Sequence, residues 1–398
     1  MLSKETDVPD VSNLSAFGDI ITVDNTPLIQ LDFLHGVNNQ LGVLTAANAG
    51  SADTNSGRLR LQSGLGAGGL GKFNSIRPAK YRQGQGVTAR FTTVFDGFHA
   101  NNQSIVGMGN EIDAYAVGFN GEQFGILHRT HSVDNWIPQS TWNRNKLITE
   151  LPDAGYVFKP EFGNVWMIRY PFLGFGPVHF FALHPKGYWV PVHVIEYPNS
   201  SAAIQISNPN LQFLAQTLNS GSATNCKVYV GSVGVFLNGI RGFLGPIFGT
   251  SNRKTAITTE TNVFTIRNAT SYNGVPNRSL IRLKSLSVAW DNVSNTCLLN
   301  LRKNSALSGT VTFTPIEGTS ANDGVTITAG NSVSSVNTAA AFTGGTIQFN
   351  TACGANGNGI IDLTPMDLFI APGETMSFTI TGDASGAARV CANWVEDI

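Results

Sequence analysis

Charge is what this 398-residue chain has least of: Asp, Glu, Lys and Arg make up 13% of it, against about 25% in ordinary globular proteins. Its 26 acids and 25 bases nearly cancel, to −1, so no bulk field draws it to nucleic acid or to an anionic membrane. The cysteines, at 226, 297, 353 and 391, are too few for a disulfide framework, and their spacings match no zinc pattern. They read as buried free thiols, with one bridge among the last three left open. No run of about 18 apolar residues occurs, so no membrane span is expected. The opening MLSKETDVPDVSNLSAFGD lacks the apolar core of a secretory leader, so none is expected. Helix formers are sparse too, because the polar residues are mainly Ser, Thr, Asn, Gln and Gly.

What remains is β-pattern. Residues 1–30 predict an extended N-terminal arm, with Pro9 and Pro27 and no periodicity. Residues 31–249 alternate short apolar runs, such as VTARFTTVF and CKVYVGSVGVFL, with Gly, Asn and Pro. Asn120-Gly121 and Asn238-Gly239 are hairpin-turn dipeptides, and LQFLAQTL (211–218) is the one helical patch. TSNRKTAITTET (250–261) is polar and unpatterned and reads as a linker. In 262–398 the alternation is cleaner: Met376, Phe378 and Ile380 oppose Ser377, Thr379 and Thr381. The fold class expected is all-β, a jelly-roll β-sandwich at 31–249 followed by a second, smaller β-sandwich.

Three stretches could carry chemistry. SGLGAGGLGKF (63–73) satisfies G-x-G-x-x-G literally, but NSIRPAKYRQGQG follows where a phosphate-binding helix would have to start. It reads as a loop, and no cofactor is expected. In NEIDAY (110–115) Glu111, Asp113 and Tyr115 alternate and would share one face of a strand. If Asn120-Gly121 is a two-residue turn, Phe119 pairs with Glu122 and Asp113 lies opposite His128. His128 and His131 are an odd number apart, so a strand splits them between its faces and they cannot share a metal. Asp134 has no readable place after them. Trp136 and Trp142, in the loop WIPQSTWN, are the aromatics to expect against a ligand, since sugar faces stack on exposed rings. The candidate ligand-binding set is therefore Glu111, Asp113, His128, Trp136 and Trp142, with no catalytic and no metal-binding residue among them.

The E-I-D of NEIDAY resembles the start of the catalytic strand of laminarinase-like β-glucanases, and the resemblance implies their concanavalin-like jelly roll. In that family a second glutamate follows the aspartate by two or three positions; Tyr115 and Ala116 stand there in this chain. A hydrolase with an incomplete catalytic strand, or a carbohydrate-binding module, is therefore the alternative reading. As a whole, YAVGFNGEQFGILHRTHSVDNWIPQSTWN, NVWMIRYPFLGFGPVHFFAL and the closing FIAPGETMSFTITGDASGAARVCANWVEDI look like virion structural proteins of tailed bacteriophages and large double-stranded DNA viruses. That resemblance spans about residues 15–398. It implies a non-enzymatic capsid-surface, spike or tail-fibre role, with assembly in the host cytoplasm. Its partners would be other virion proteins, copies of itself in a homo-oligomer such as a trimer, and a host-surface glycan.

Overall fold

The computed structural model describes residues 25–82, 84–97, 99–148, 157–239, 245–321 and 326–396. Most of the expected arm, 1–24, lies outside the described residues. The fold is all-β: the described residues form strands with two single 3-10 turns, at Gln139–Thr141 and Thr364–Met366. The chain divides into two compact units, 1–241 and 242–398.

In the first unit the strands are β1 (Thr26–Asp32), β2 (Gly42–Ala47), β3 (Ser51–Asn55), β4 (Arg58–Gln62), β5 (Leu70–Ser75), β6 (Val87–Phe95), β7 (Asn102–Gly109) and β8 (Ala114–Asn120). There follow β9 (Gln123–Thr130), β10 (Val133–Pro138), β11 (Asn164–Tyr170), β12 (Val178–Leu183), β13 (Trp189–Ile195), β14 (Phe213–Asn219), β15 (Lys227–Val230) and β16 (Ser232–Leu237). A seven-stranded sheet runs β10-β9-β8-β7-β14-β5-β2, and a nine-stranded sheet runs β13-β12-β11-β6-β15-β4-β3, with β1 and β16 joined beside β6. Alternate residues of both sheets meet in one core, including Phe73, Phe91, Val106, Met108, Val117, Ile126, Trp166 and Phe213. The expected helical patch is β14, a strand with a neighbour on each side. Burial on both faces gives it a run of apolar residues instead of alternation. The Gly-rich stretch leads into β5, a strand rather than a helix. Asn238-Gly239 closes no hairpin, since β16 before it pairs with β1 and β6.

The second unit is also a two-sheet sandwich. Ile247–Ile257, Gly386–Glu396, Ile281–Asp291 and Asn358–Asp362 form one sheet in that order, with Phe369–Ile370 also paired to Ile281–Asp291. The other sheet centres on Thr261–Asn268, Thr375–Gly382, Cys297–Lys303 and Thr346–Cys353. The expected linker 250–261 is thus corrected: its first part is a sheet strand, pairing from Ile247 with Val395 to Ile257 with Gly386. Its polar residues misled because an edge strand's outer face needs no apolar side chains. Met376, Phe378 and Ile380 do enter the core, with Phe264, Trp290 and Trp394. Cys297 faces Cys353 across two strands, and all four cysteines are free thiols.

Candidate functional site

Glu111 and Asp113 do not share a strand face. Gly109 pairs with Ala114, and residues 110–113 form the turn between β7 and β8. Asn110 shapes it, its side-chain oxygen accepting from the N–H of Ile112 at 2.8 Å and of Asp113 at 3.0 Å. The turn throws Glu111 outward, 72% exposed, where it pairs with Lys72. It turns Asp113 inward to full burial. There the Asp113 carboxylate accepts from the Ser207 hydroxyl (2.6 Å) and the backbone N–H groups of Asn208 (2.8 Å), Ser207 (3.2 Å) and His131 (3.2 Å). Four donors satisfy a buried carboxylate without a cation. Asp113 is a structural clasp between loops and not a ligand-facing acid.

The β8–β9 hairpin also turns one residue later than expected. Asn120 pairs with Gln123, so Gly121 and Glu122 are the turn. Gly121 alone of the two has a positive φ (61°), the pattern of a type II′ turn. Every partner moves by two, and His128 meets Tyr115 instead of Asp113. The two rings stack at 5.5 Å and 20° on the core side, and Tyr115 lies 5.8 Å from Tyr170. Burial pushes the His128 pKa down, against the pull of Asp113. Burial likewise pushes both tyrosines up. His128 is therefore a core aromatic, while His131 sits in the following turn.

That turn, His131-Ser132, hides the strand after it. Both residues have positive φ (51° and 66°), as in a type I′ turn, without the usual Asn or Gly. β10 then pairs back on β9, and Asp134 and Trp136 lie opposite Arg129 and Leu127. Trp136 is thus on a strand, not in a loop. Trp142 is corrected more fully: it is 2% exposed, packed 6.0 Å from Phe124 and 6.4 Å from Trp166.

Cross-strand rows now define the outer face of the seven-stranded sheet. One row reads Asp134, Arg129, Ala114, Gly109; the next reads Trp136, Leu127, Ala116, Gly107, Leu214, Asn74. A third carries Gly125, Gly118, Ile105, Gln216 and Lys72. Small residues fill the middle, so Trp136 can lie flat: a Cβ on Gly125 would stand 2.9 Å from its indole nitrogen. Trp136 packs at the margin of a buried cluster made of Ile105, Ala114, Ala116, Leu127 and Leu214 and stays partly exposed. Its indole N–H has no hydrogen-bond acceptor among the described residues. Beside it Arg129 holds Asp134 through two bonds, at 2.5 and 3.0 Å, and donates to the Asn110 carbonyl at 3.2 Å. The Asp134 contact and the nearby Glu111 hold the Arg129 pKa up against its burial. Of the residues expected at a site, this face brings together Glu111 and Trp136 only. It adds Lys72, Arg129 and Asp134, which register alone could have revealed.

No family model matches the chain, and no curated protein matches it. Solved structures do. A beta-1,3-glucanase from Mycobacterium marinum aligns at 11% identity and TM-score 0.35, over 50% of this chain and 91% of that one. A glycoside hydrolase family protein from Mycobacterium thermorestibile aligns at 9% and 0.36, over 52% and 100%. The carbohydrate recognition domain of Emp46p aligns at 10% and 0.33, over 54% and 97%. These are likenesses of fold. The expectation that the chain is not an enzyme is withdrawn, since proteins bearing glucanase and glycoside hydrolase names are among the matches.

Proposed function

We propose that the first unit recognises a glycan on the outer face of its seven-stranded sheet. The observation that carries this is Trp136, a partly exposed indole laid over Gly125, in the row next to the Arg129–Asp134 pair. A sugar ring offers a C–H face to an indole and hydroxyls to charged groups; the exposed part of Trp136 and the neighbouring Arg129–Asp134 pair offer these, while Leu127, Ala116 and Leu214 of the same row are buried. The glycan-related names among the matching structures agree with that reading. A glycan array tests it. Binding lost in Trp136→Ala and kept in Trp142→Phe is the expected result, and binding indifferent to Trp136 removes the proposal.

The same face supports a second reading. Glu111 and Asp134 are two carboxylates near one guanidinium, the residue class that glycosidic hydrolysis employs. Reducing-sugar release that disappears in Glu111→Gln would make the face catalytic as well as binding. The setting of a virion surface, with a homo-oligomer, rests on the sequence resemblance. Light scattering on the purified chain, followed by a search for it in particles, tests that part.

A further inference from the structure

We propose that the second unit carries its own site for a sugar acid, at one end of its five-stranded sheet. One cross-strand row there reads Arg253, Arg389, Ala289, Asn358. Two guanidinium groups directly opposite each other repel. Only Arg253 has an acid near it, Asp291 at 3.5 Å, while Arg389 is exposed with no ion-pair or hydrogen-bond partner among the described residues. Ala289 is the short side chain of the row, and it leaves a hollow between Arg389 and Asn358. The 354–357 turn borders the hollow on one side, held by a bond from the Trp290 N–H to the Gly357 carbonyl at 2.9 Å. The resulting pocket measures about 250 Å³ and is lined by Arg253, Arg389, Asp291, Asn356, Asn358 and Ala289 among others.

The lining specifies the ligand chemistry. The fork of Arg389 matches a ligand carboxylate, with Arg253 adding positive charge from its pair with Asp291. Asp291 accepts only, so it repels a second negative charge and wants a hydroxyl donor. Asn356 and Asn358 supply both donors and acceptors. A ligand with one carboxylate and several hydroxyls meets all three demands. The volume is below the ~300–1,000 Å³ of drug-sized pockets, which suits a single uronic or sialic acid residue. This site is separate from the Trp136 face and does not depend on it.

The test is ligand-observed NMR on the full chain in 150 mM salt, with glucuronate, N-acetylneuraminate, glucose and inorganic sulfate as probes. The expected result is saturable binding of at least one sugar acid and none of glucose. That binding weakens tenfold or more in Arg389→Ala, partly recovers in Arg389→Lys and is unchanged in Trp136→Ala. Arg389 is exposed, so an unaltered melting temperature confirms that the variant folds. No saturable sugar-acid binding, or equal binding by Arg389→Ala, overturns the proposal. So does sulfate competing as well as the sugar acids, which would mark a simple ion site.

Discussion

Among the described residues each sandwich buries one carboxylate completely, and the two solve the problem alike. Asp113 in the first unit and Glu396 in the second are both fully inaccessible. Glu396 accepts from the Val333 N–H (2.7 Å), the Ser332 hydroxyl (2.8 Å) and the Trp394 indole (3.0 Å), much as Asp113 draws on Ser207, Asn208 and His131. Where the units part is in groups that titrate near neutrality. All seven histidines, from His35 to His193, fall in the first unit. Burial lowers the pKa of His128, His179 and His193, and His179 drops to about 4 with Arg169 and Arg144 adding to the effect. Two sandwiches of the same architecture should therefore answer acid differently.

Removing a clasp should have the largest effect. Asp113→Ala strands three backbone N–H groups and should destabilise the first unit by about 3 kcal/mol or more. Hydrogen exchange would show the second unit unmoved, and Glu396→Ala should reverse the pattern. If either variant loosens both units together, they are not independent.

Acid comes next. A histidine neutral in the fold but free to protonate when unfolded favours unfolding once the pH drops below about 6.5. For His179 that loss accumulates from there down to about pH 4 and is worth roughly 3 kcal/mol. His128 and His193 act in the same direction. Urea unfolding at pH 7 and pH 4.5 should show the first unit weakening most, and His179→Gln should shrink the gap. A second unit that loses as much would break the comparison.

Smaller effects separate the faces of one sheet. Gly125→Ala would put a Cβ 2.4 Å from the Ile137 carbonyl oxygen as well as 2.9 Å from the Trp136 indole nitrogen, so it should cost about 1–3 kcal/mol and shift tryptophan fluorescence, with glycan binding falling in step. Glu111→Gln removes an exposed ion pair and should change stability by less than about 1 kcal/mol, although it lies two residues from Asp113. A loss as large as that of Asp113→Ala would mean Glu111 belongs to the core.

Strand content, the two sandwiches and the Met376-Phe378-Ile380 core stripe were legible because alternation at period two survives any error in pairing. Register was not. Reading Asn120-Gly121 as the turn displaced partners by two, which kept each side chain on its face but gave His128 the wrong neighbour. Two turns had no signature at all: His131-Ser132 adopts positive φ without Gly or Asn, and residues 110–113 split Glu111 from Asp113 in mid-pattern. Trp142 could not be told from Trp136, since a strand ending at Pro138 looks like a loop until its partner is known. LQFLAQTL read as a helix because a strand buried on both faces loses its alternation.

Cys297 and Cys353 stand opposite each other on neighbouring strands, with burial and the second thiol holding Cys297 at about 12. In a reducing cytoplasm they are two quiet apolar side chains. Long exposure to an oxidant would join them slowly, and the same burial would then shelter the bond from reductants. Were that bond to form, the second sandwich would carry a record of the exposure, readable as a loss of two hydrogens in its mass.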